Sequence, residues 1–297
     1  MIDFIGSPTK LAWKIHIPRE KLEGVASDVA RFYSPYMNRK PGRKPRWVDQ
    51  PTGLLKQIQK QLNEIILKKL PLPDCMKGGV SGRHPLAHPC LHVGREVVVT
   101  IDIKDCFQSI TRAQVFRVWR HSVNCSPTVA HLLTRLTTYW GHLPTGAPTS
   151  TMLANLVLVP VVLEVQSIAQ ERCIRFSQYI DDGAMSGAQL DDSLILEVVR
   201  VFSKHGFRIG RKKVKVRRSG SQQMVTGKVV NKRLSIPREK RRKIRPALHQ
   251  LSMLQPGSPS YKSSRLSVEG RIRAIQELHP DQSKRLRECL EKFPCVK

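Results

Sequence analysis

The amino-acid sequence predicts an α+β fold whose body mixes strands with helices and whose C-terminal part is helical. Three observations support this class. A short β-branched run, Val97–Ile101, is typical of a strand buried on both faces. The segment 173–186 alternates apolar and polar residues around an Asp-Asp-Gly turn, as in a β-hairpin. Beyond Pro237 the chain is basic, and its apolar residues recur at helical spacing.

Weaker patterns complete the body of the fold. Residues 1–35 have the pattern of a short amphipathic lead-in, and residues 71–94 are rich in Gly and Pro, as in a loop. Further helices are predicted around Leu54, Ile58, Leu62 and Ile65, over 113–140 (around Pro127), over 153–163 (interrupted at Pro160) and over 193–202. Further strands are predicted over 214–216 and 224–230.

The C-terminal part is predicted to be separate from the mixed body, with a boundary near residue 235. Two apolar stripes at helical spacing indicate its helices. They comprise Ile244, Leu248 and Leu251 in the first stripe, and Leu266, Ile272 and Ile275 in the second.

The charge of the chain indicates a polyanionic partner. Among 297 residues, Lys and Arg number 51 and acidic residues 23, which gives a formal charge of +28. Between Lys204 and Arg245, 17 residues are Lys or Arg and only Glu239 is acidic. Such density exceeds what a solvated helix face requires, and arginine clusters bind duplex RNA through its backbone and shape. The predicted RNA-binding residues are Arg211, Lys212, Arg217, Arg218, Arg241, Arg242, Lys243 and Arg245.

Composition argues against several other classes. The hydrophobic fraction of 40% suffices for a buried core. The longest apolar run, 153–163, falls short of the ~20 residues of a membrane helix, and Lys10 and Lys14 interrupt any signal peptide. The seven cysteines include no CxxC pair, so the pattern favours neither a zinc site nor a disulfide framework. We therefore expect a cytoplasmic protein with no membrane partner.

Three aspartates occupy positions that suit metal binding. Asp102 ends the buried strand, and Asp181 and Asp182 lie at the tip of the hairpin. Buried carboxylates are costly without a cation, and Mg²⁺ prefers hard oxygen ligands. Two such ions ~4 Å apart activate an attacking hydroxyl and neutralise departing pyrophosphate, so the three aspartates suit nucleotidyl transfer. An Asp-Asp pair alone is weak support, because Asp191-Asp192 has the pattern of an ordinary helix start.

The context of these aspartates resembles the reverse transcriptases. Tyr179-Ile180-Asp181-Asp182 resembles their YxDD box, and the segment 102–107, with Ser109-Ile110, resembles their first aspartate motif. The segment 143–150, followed by Leu153-Ala154-Asn155-Leu156, is similar to the intervening nucleotide-binding motif. These motifs occur in the family's order.

Further elements resemble the retron branch of this family. They are Gly206-Phe207 with Lys213, Val225-Thr226-Gly227 continuing to Asn231, and the segment 268–272 followed by Pro280. Some positions depart from the family pattern: His88-Pro89 stands where Asn-Ala is frequent, Thr145 where Gln is frequent and Gly210 where Asn is frequent.

The resemblance implies a right-hand polymerase with fingers, an antiparallel palm sheet with helices, and a helical thumb. Residues 1–94 would form a lead-in and fingers, residues 95–235 the palm with a finger insertion at about 113–142, and residues 236–297 a basic thumb. Two Mg²⁺ ions would bind Asp102, Asp181 and Asp182. Asp105 shares the first motif, and the sequence leaves its participation open.

The resemblance also implies roles around the nucleotide. Phe107 would lie beneath the incoming sugar and exclude a 2′-OH, and Gly146 and Pro148 would let the backbone approach the nucleotide. Lys44 and Arg46 would hold the triphosphate, Tyr179 would pack against the primer end, and Lys213 would protonate the leaving pyrophosphate. Each residue also has a simpler interpretation. Phe107 would be a core residue, Gly146 and Pro148 part of a simple turn, and Lys44 and Arg46 part of a solvated loop. Tyr179 would fill the hairpin, and Lys213 would contact the nucleic-acid backbone.

For a retron-type enzyme the implied partners are a structured noncoding RNA that serves as template and primer, dNTPs, the DNA product and a possible effector protein. Synthesis would begin at a guanosine 2′-OH, and the system would act in defence against phage. The alternatives are another bacterial reverse transcriptase, of the diversity-generating or group II intron-like kind, and a noncatalytic RNA-binding protein on a palm scaffold.

Overall fold

The computed structural model describes residues 3–39, 45–210 and 213–294, which belong to two compact units. The first unit comprises residues up to His88 together with Val99–Val216. The second unit comprises Pro89–Val98 and the chain from Arg217 onward. The described residues form a mixture of helices and antiparallel pairs of strands, and the predicted α+β class is confirmed.

The strands form one central sheet and two hairpins. The central sheet has the order β4-β5-β3-β6, and its strands are β3 (Val97–Asp102), β4 (Arg175–Tyr179), β5 (Asp182–Gly187) and β6 (Lys215–Arg218). The two antiparallel hairpins are β1 (Tyr33–Asn38) with β2 (Arg46–Pro51), and β7 (Met224–Val225) with β8 (Lys228–Val229). The predicted strand at 97–101 and the predicted hairpin at 173–186 are therefore confirmed.

Helices cover much of the rest of both units. Those of the first unit are α1 (Pro8–Ile15), α2 (Arg19–Ser27), α3 (Gly53–Ile65), α4 (Ala87–Cys90, which ends in the second unit), α5 (Cys106–Ser109), α6 (Arg112–Arg117), α7 (Pro127–Thr137), α8 (Ser150–Glu171) and α9 (Asp192–Lys204). Those of the second unit are α10 (Arg238–Arg242), α11 (Ile244–Ser252), α12 (Pro259–Gln276) and α13 (Pro280–Glu291). Asp191 caps α9 by accepting the Leu194 amide at 2.9 Å, which confirms that Asp191-Asp192 begins a helix.

Helix α8 corrects one prediction. It runs unbroken through Pro160, although a proline inside a helix removes one backbone hydrogen bond and costs about 3 kcal/mol. Burial of Leu158, Val161 and Val162 around the proline offsets that cost. By length and composition α8 is also apolar enough to cross a membrane, but most of its apolar stretch is buried inside the structure, as in a core helix.

Other predictions in the first unit also change. Residues 3–35, predicted to be part of a short lead-in, are a packed part of the unit, because α1 and α2 bury Leu11, Ile15 and Leu22. The stretch 113–140 is two helices, because Pro127 lies in the first turn of α7, where its missing N–H costs nothing. The loop predicted over 71–94 contains the short helix α4.

In the second unit, the helices close over a core of their own. Its members are Ile236, Ile244, Leu248, Leu251, Tyr261, Val268, Ile272, Ile275, Leu286 and Leu290. The predicted second stripe is wrong at Leu266, which is 69% exposed, because Tyr261 and Val268 occupy the buried face of α12 instead. The strand predicted over 224–230 is the β7–β8 hairpin, in which Thr226 and Gly227 both have positive φ, as a two-residue turn requires.

Candidate active site

The three predicted metal-binding aspartates lie at one edge of the central sheet. Asp102 is the last residue of β3, and Tyr179 pairs with Asp182 across β4 and β5, which leaves Ile180 and Asp181 as a two-residue turn. The Ile103 amide, next to Asp102, donates to the Asp181 carbonyl at 3.0 Å. The structure therefore brings the end of β3 next to the turn between β4 and β5.

The turn that carries Asp181 is strained. Ile180 has a φ of 58°, in the left-handed region that β-branched residues rarely adopt. A two-residue turn whose first residue has positive φ ordinarily favours glycine there. Such strain costs about 1–3 kcal/mol and persists only where the surroundings hold the backbone in place.

The carboxylates repel one another and are partly removed from water. Burial raises the pKa of Asp181, and the charge of Asp102 raises it further. Burial raises the pKa of Asp182 to about 6, with the charges of Asp181 and Asp102 as the next causes. Burial likewise raises the pKa of the Cys106 thiol to about 12, assisted by the same two aspartates. The edge of the sheet is thus a place where a cation would be stabilised.

Lys213 supplies a cation at this edge. Its Nζ donates to Asp102 Oδ2 at 2.5 Å, and this hydrogen bond is the main cause of the raised pKa of Lys213. The charges of Asp181 and Asp182 raise it further. The Gly210 amide donates to the Asp102 carbonyl at 3.1 Å, and the Lys213 amide to the Gly210 carbonyl at 2.7 Å, so the loop is anchored beside the aspartate.

The donor set fits Mg²⁺ as this ion is commonly bound. Within the described residues, no three His, Cys, Asp or Glu side chains are already arranged as a closed metal cluster. Mg²⁺ does not require one, because it is usually held by one or two carboxylates together with substrate phosphates and water. The three aspartates offer such carboxylates, and Lys213 occupies the position of a counter-cation beside Asp102.

The predicted nucleotide-binding loop packs against β2 and α5. The Asp49 amide donates to the Thr145 carbonyl at 2.8 Å, and Gln108 Nε2 donates to Thr145 Oγ1 at 3.2 Å. Gly146 has a φ of 101°, and a Cβ there would come within 2.8 Å of Val48 Cγ1. The packing of Gly146 on β2 thus requires the absence of a side chain at this position.

The other predicted nucleotide-binding residues lie on elements around this edge. Phe107 is half-buried in α5, four residues beyond Ile103, and Pro148 is half-buried in the loop before α8. Arg46 is exposed on β2, and its charge is among the causes that lower the pKa of Asp181. Lys44 lies outside the described residues.

Tyr179 and Asp105 differ in their surroundings. Tyr179 is half-buried at the end of β4, with its ring centroid 5.7 Å from that of His88. Asp105 is exposed, has a φ of 48° and precedes α5. Asp105 therefore lies on the solvent side of the turn after β3.

The predicted RNA-binding residues divide between two places. Arg211 and Lys212 lie outside the described residues. Arg217 and Arg218 lie on β6, and Arg242 and Lys243 are exposed around the end of α10. Arg241 is half-buried, since its guanidinium donates to the Ile236 carbonyl at 3.1 Å and to Gln282 Oε1 at 2.9 Å.

A groove of about 960 Å³ in the second unit is strongly cationic. It is lined by Arg233, Arg241, Arg245, Arg285 and Lys292, with Asp281 as its acidic member. Arg241 and Arg245 are the predicted residues that line it, whereas Arg285 and Lys292 come from α13 and the residue that follows it, which the prediction did not include.

Sequence reasoning gave no role to several residues behind the turn between β4 and β5. His88 is fully buried, and its Nδ1 lies 2.7 Å from Ser177 Oγ. Burial lowers the pKa of His88 to about 4. Asn155 is fully buried and donates to the Gly78 carbonyl. Two sequence features could have pointed to these residues. Asn155 belongs to the predicted nucleotide-binding motif, and His88 departs from the family pattern.

The sequence matches a family model over residues 38–245, and that model describes reverse transcriptase (RNA-dependent DNA polymerase). The chain belongs to this family. The match covers β3, the turn between β4 and β5, and Lys213, so the family assignment and the candidate site coincide.

Curated relatives of the chain are retron reverse transcriptases. The chain is 31% identical to the Retron Mx65 reverse transcriptase of Myxococcus xanthus over 92% of this chain and 66% of that protein. It is 29% identical to the Retron Ec86 reverse transcriptase of Escherichia coli over 71% of this chain and 67% of that protein. It is 26% identical to the Retron Se72 reverse transcriptase of Salmonella heidelberg over 61% of this chain and 48% of that protein. The chain thus spans between about half and two thirds of these relatives, which confirm the predicted retron-type resemblance.

A solved structure also aligns with this chain. It is the foamy viral protease-reverse transcriptase in complex with double-stranded DNA, with a TM-score of 0.48 and 17% sequence identity. The alignment covers 88% of this chain and 42% of that chain.

Proposed function

We propose that the protein is a retron-type RNA-directed DNA polymerase that extends a primer on an RNA template. The observation that carries the proposal is the adjacency of Asp102 to the Asp181–Asp182 turn, with Lys213 hydrogen-bonded to Asp102, inside the segment that matches the family. The raised pKa values of Asp181 and Asp182 support it, because a site that disfavours its own negative charge gains most from a bound cation.

In this proposal, Asp102, Asp181 and Asp182 hold Mg²⁺, with two ions in the reacting complex. When bound, the ions lower the pKa of the attacking hydroxyl and stabilise the negative charge of the pyrophosphate. Lys213 donates a proton to the leaving pyrophosphate, and its raised pKa keeps that proton available at neutral pH.

The remaining residues orient the nucleotide. Arg46, together with Lys44, binds the triphosphate, and the guanidinium fork matches phosphate oxygens. Phe107 excludes the 2′-OH of a ribonucleotide, and Gly146 and Pro148 line the side of the nucleotide nearest β2. Tyr179 packs against the primer end, beside the turn that carries Asp181.

The proposed nucleic-acid partner is a structured noncoding RNA that serves as template and primer. The charge of +28 and the cationic groove of the second unit support binding to phosphates. In this proposal residues 95–235 act as palm and residues 236–297 as thumb. We place the protein in the cytoplasm, in a system that defends against phage with an effector protein, because its relatives are retron enzymes.

Primer extension on an RNA template with dNTPs and Mg²⁺ tests the activity. The wild-type chain should extend the primer, and the double substitution Asp181→Ala/Asp182→Ala should abolish extension while RNA binding persists. Asp191→Ala/Asp192→Ala, at the start of α9, is the matched control for the loss of two adjacent aspartates. A wild-type protein that binds RNA without extending any primer would identify a noncatalytic binder instead.

A further inference from the structure

The segment 75–79 lies alongside the strand that leads into the aspartate turn. The Gln178 amide on β4 donates to the Cys75 carbonyl at 2.8 Å, and the Lys77 amide donates to the Gln178 carbonyl at 2.7 Å. Met76 and Gln178 form a parallel bridge. The segment thus pairs with the outer edge of β4 through a single bridge at Gln178, the residue before Tyr179.

Two glycines fit this segment between the turn and helix α8. A Cβ at Gly78 would come within 2.8 Å of both the Ile180 nitrogen and the Tyr179 carbonyl carbon. A Cβ at Gly79 would come within 2.2 Å of Thr151 Cγ2 on α8. The backbone of the segment is therefore in direct contact with the strained turn on one side and with α8 on the other.

Asn155 makes the polar connection from α8 to this segment. Its Nδ2 donates to the Gly78 carbonyl at 2.8 Å, one helical turn beyond Thr151. Asn155 is fully buried, and its Oδ1 has no hydrogen-bond partner among the residues that the structure describes. A buried amide with one unsatisfied end is costly, so its contribution lies in the bond to Gly78 rather than in general packing.

Arg83 closes the segment from its other end. Its guanidinium donates to the Pro73 carbonyl at 2.6 Å, to the Leu72 carbonyl at 2.8 Å and to the Met76 carbonyl. Arg83 therefore fixes the backbone that precedes Gly78. The hydrogen bond from Asn155 then determines the position of Gly78 itself against the turn.

We propose that Asn155 is a positioning residue, which holds Gly78 against the Tyr179–Ile180 backbone and so fixes the turn that carries Asp181 and Asp182. Ile180 has its unfavourable φ where the Gly78 backbone packs against it, and Gln178 Nε2 donates to the Ile180 carbonyl at 2.9 Å from within β4. The role in catalysis rests on the proposed polymerase function, whereas the mechanical coupling of Asn155 to the turn does not.

The matched control is Gln59, a buried side-chain amide in α3. Its Nε2 donates to the Leu136 carbonyl at 2.8 Å, the same chemistry as the Asn155 contact, and also to the Tyr33 hydroxyl at 3.0 Å, in a part of the first unit built from α3, α7 and β1. Gln59→Ala therefore removes a similar bond without touching the turn, and separates positioning from general stability.

Hydrogen exchange of the turn amides in the full-length chain tests the proposal without any reaction. Asn155→Ala should accelerate exchange at 179–183 on the order of tenfold, while Gln59→Ala leaves these amides unchanged and accelerates those around Leu136 instead. Equal exchange of the turn in both variants would overturn the positioning role. If the wild-type chain fails to extend primers, the proposed function is refuted. The exchange comparison still tests the positioning role, because it does not require activity.

Kinetics then test the consequence for catalysis. We expect Asn155→Ala to lower kcat about 10- to 100-fold with an unchanged KM for the RNA template, and Gln59→Ala to change neither. An unchanged kcat in Asn155→Ala would overturn the catalytic consequence.

A second pair of variants serves if Asn155→Ala does not fold. Gly78→Ala adds a methyl group that would clash with the Tyr179–Ile180 backbone. Gly24→Ala on α2 adds a methyl group where no atom lies within 4 Å. Faster exchange at 179–183 in Gly78→Ala, and not in Gly24→Ala, supports the proposal. Unaltered exchange of the turn in Gly78→Ala overturns it.

Discussion

Replacing Asp182 with Asn should stabilise the metal-free protein while it abolishes DNA synthesis. Burial and the neighbouring charges of Asp181 and Asp102 raise the pKa of Asp182 from 3.8 to about 6, so its ionised form opposes folding at neutral pH. Asn has nearly the same size and carries no charge, so it removes the repulsion without leaving a cavity.

The expected magnitude follows from that pKa. A rise from 3.8 to about 6 corresponds to about 3 kcal/mol of unfavourable free energy once Asp182 is ionised. The carboxylate is only partly buried, and solvent screening reduces this to about 1–2 kcal/mol. We therefore expect Asp182→Asn to raise the free energy of unfolding by about 1–2 kcal/mol at pH 7.5.

The gain should depend on pH in a defined direction. Because the pKa of Asp182 is raised in the native state, the wild-type protein takes up a proton near pH 6 that the unfolded chain takes up only near pH 4. As the pH falls through this window, the wild-type protein gains stability relative to the variant. The advantage of Asn is therefore full above about pH 6 and is lost by about pH 4.

Urea denaturation in the presence of a chelator measures both quantities. Asp191→Asn is the matched control, because the Leu194 amide lowers the pKa of Asp191, and the ionised form there favours folding. The control should therefore show no gain at pH 7.5. If Asp182→Asn is destabilised at pH 7.5, or if its advantage grows as the pH falls, the account of a repulsive carboxylate cluster is wrong.

Three further predictions concern the charge and shape of the site. Lys213→Met should change stability by less than about 1 kcal/mol, because the lysine side chain of the ion pair with Asp102 is 58% exposed. It should lower the rate of single-nucleotide addition about 100-fold, with Lys213→Arg less affected, and equal rates in Met and wild type would exclude a proton donor. Phe107→Ala should increase ribonucleotide incorporation relative to deoxynucleotide incorporation, and an unchanged ratio would exclude a sugar gate. The affinity for RNA should fall steeply with salt, and Arg242→Ala/Lys243→Ala should reduce the salt slope by about 1–2; a flat titration would contradict binding through phosphates.

The sequence predicted the strand and turn that carry the aspartates better than it predicted the residues that pack behind them. The buried strand before Asp102 and the alternating hairpin around Asp181-Asp182 are local patterns, and local patterns determine strand ends and turns. The same local reasoning separated Asp191-Asp192, which caps a helix, from the pair at the hairpin tip. It misjudged α8, because the burial of Leu158, Val161 and Val162 near Pro160 is a tertiary effect that overrides the local preference of proline.

The residues behind the turn were beyond local reasoning. Gly78 and Asn155 are 77 positions apart, and neither shows from its neighbours that the two meet. The positive φ of Ile180 is equally hidden, since a β-branched residue predicts extended backbone. These features depend on contacts between distant segments, which a hydrophobic pattern does not specify.

The central claim is that Asp102, Asp181 and Asp182 together bind the divalent ions of nucleotidyl transfer. Anomalous diffraction from crystals of the protein grown with Mn²⁺, template-primer and an incoming nucleotide tests it most directly. We expect an anomalous peak within about 2.0–2.3 Å of carboxylate oxygens from Asp102 and from the Asp181–Asp182 turn, and its loss in Asp182→Asn. Mn²⁺ bound elsewhere, or bound without a ligand from Asp102, would contradict the account.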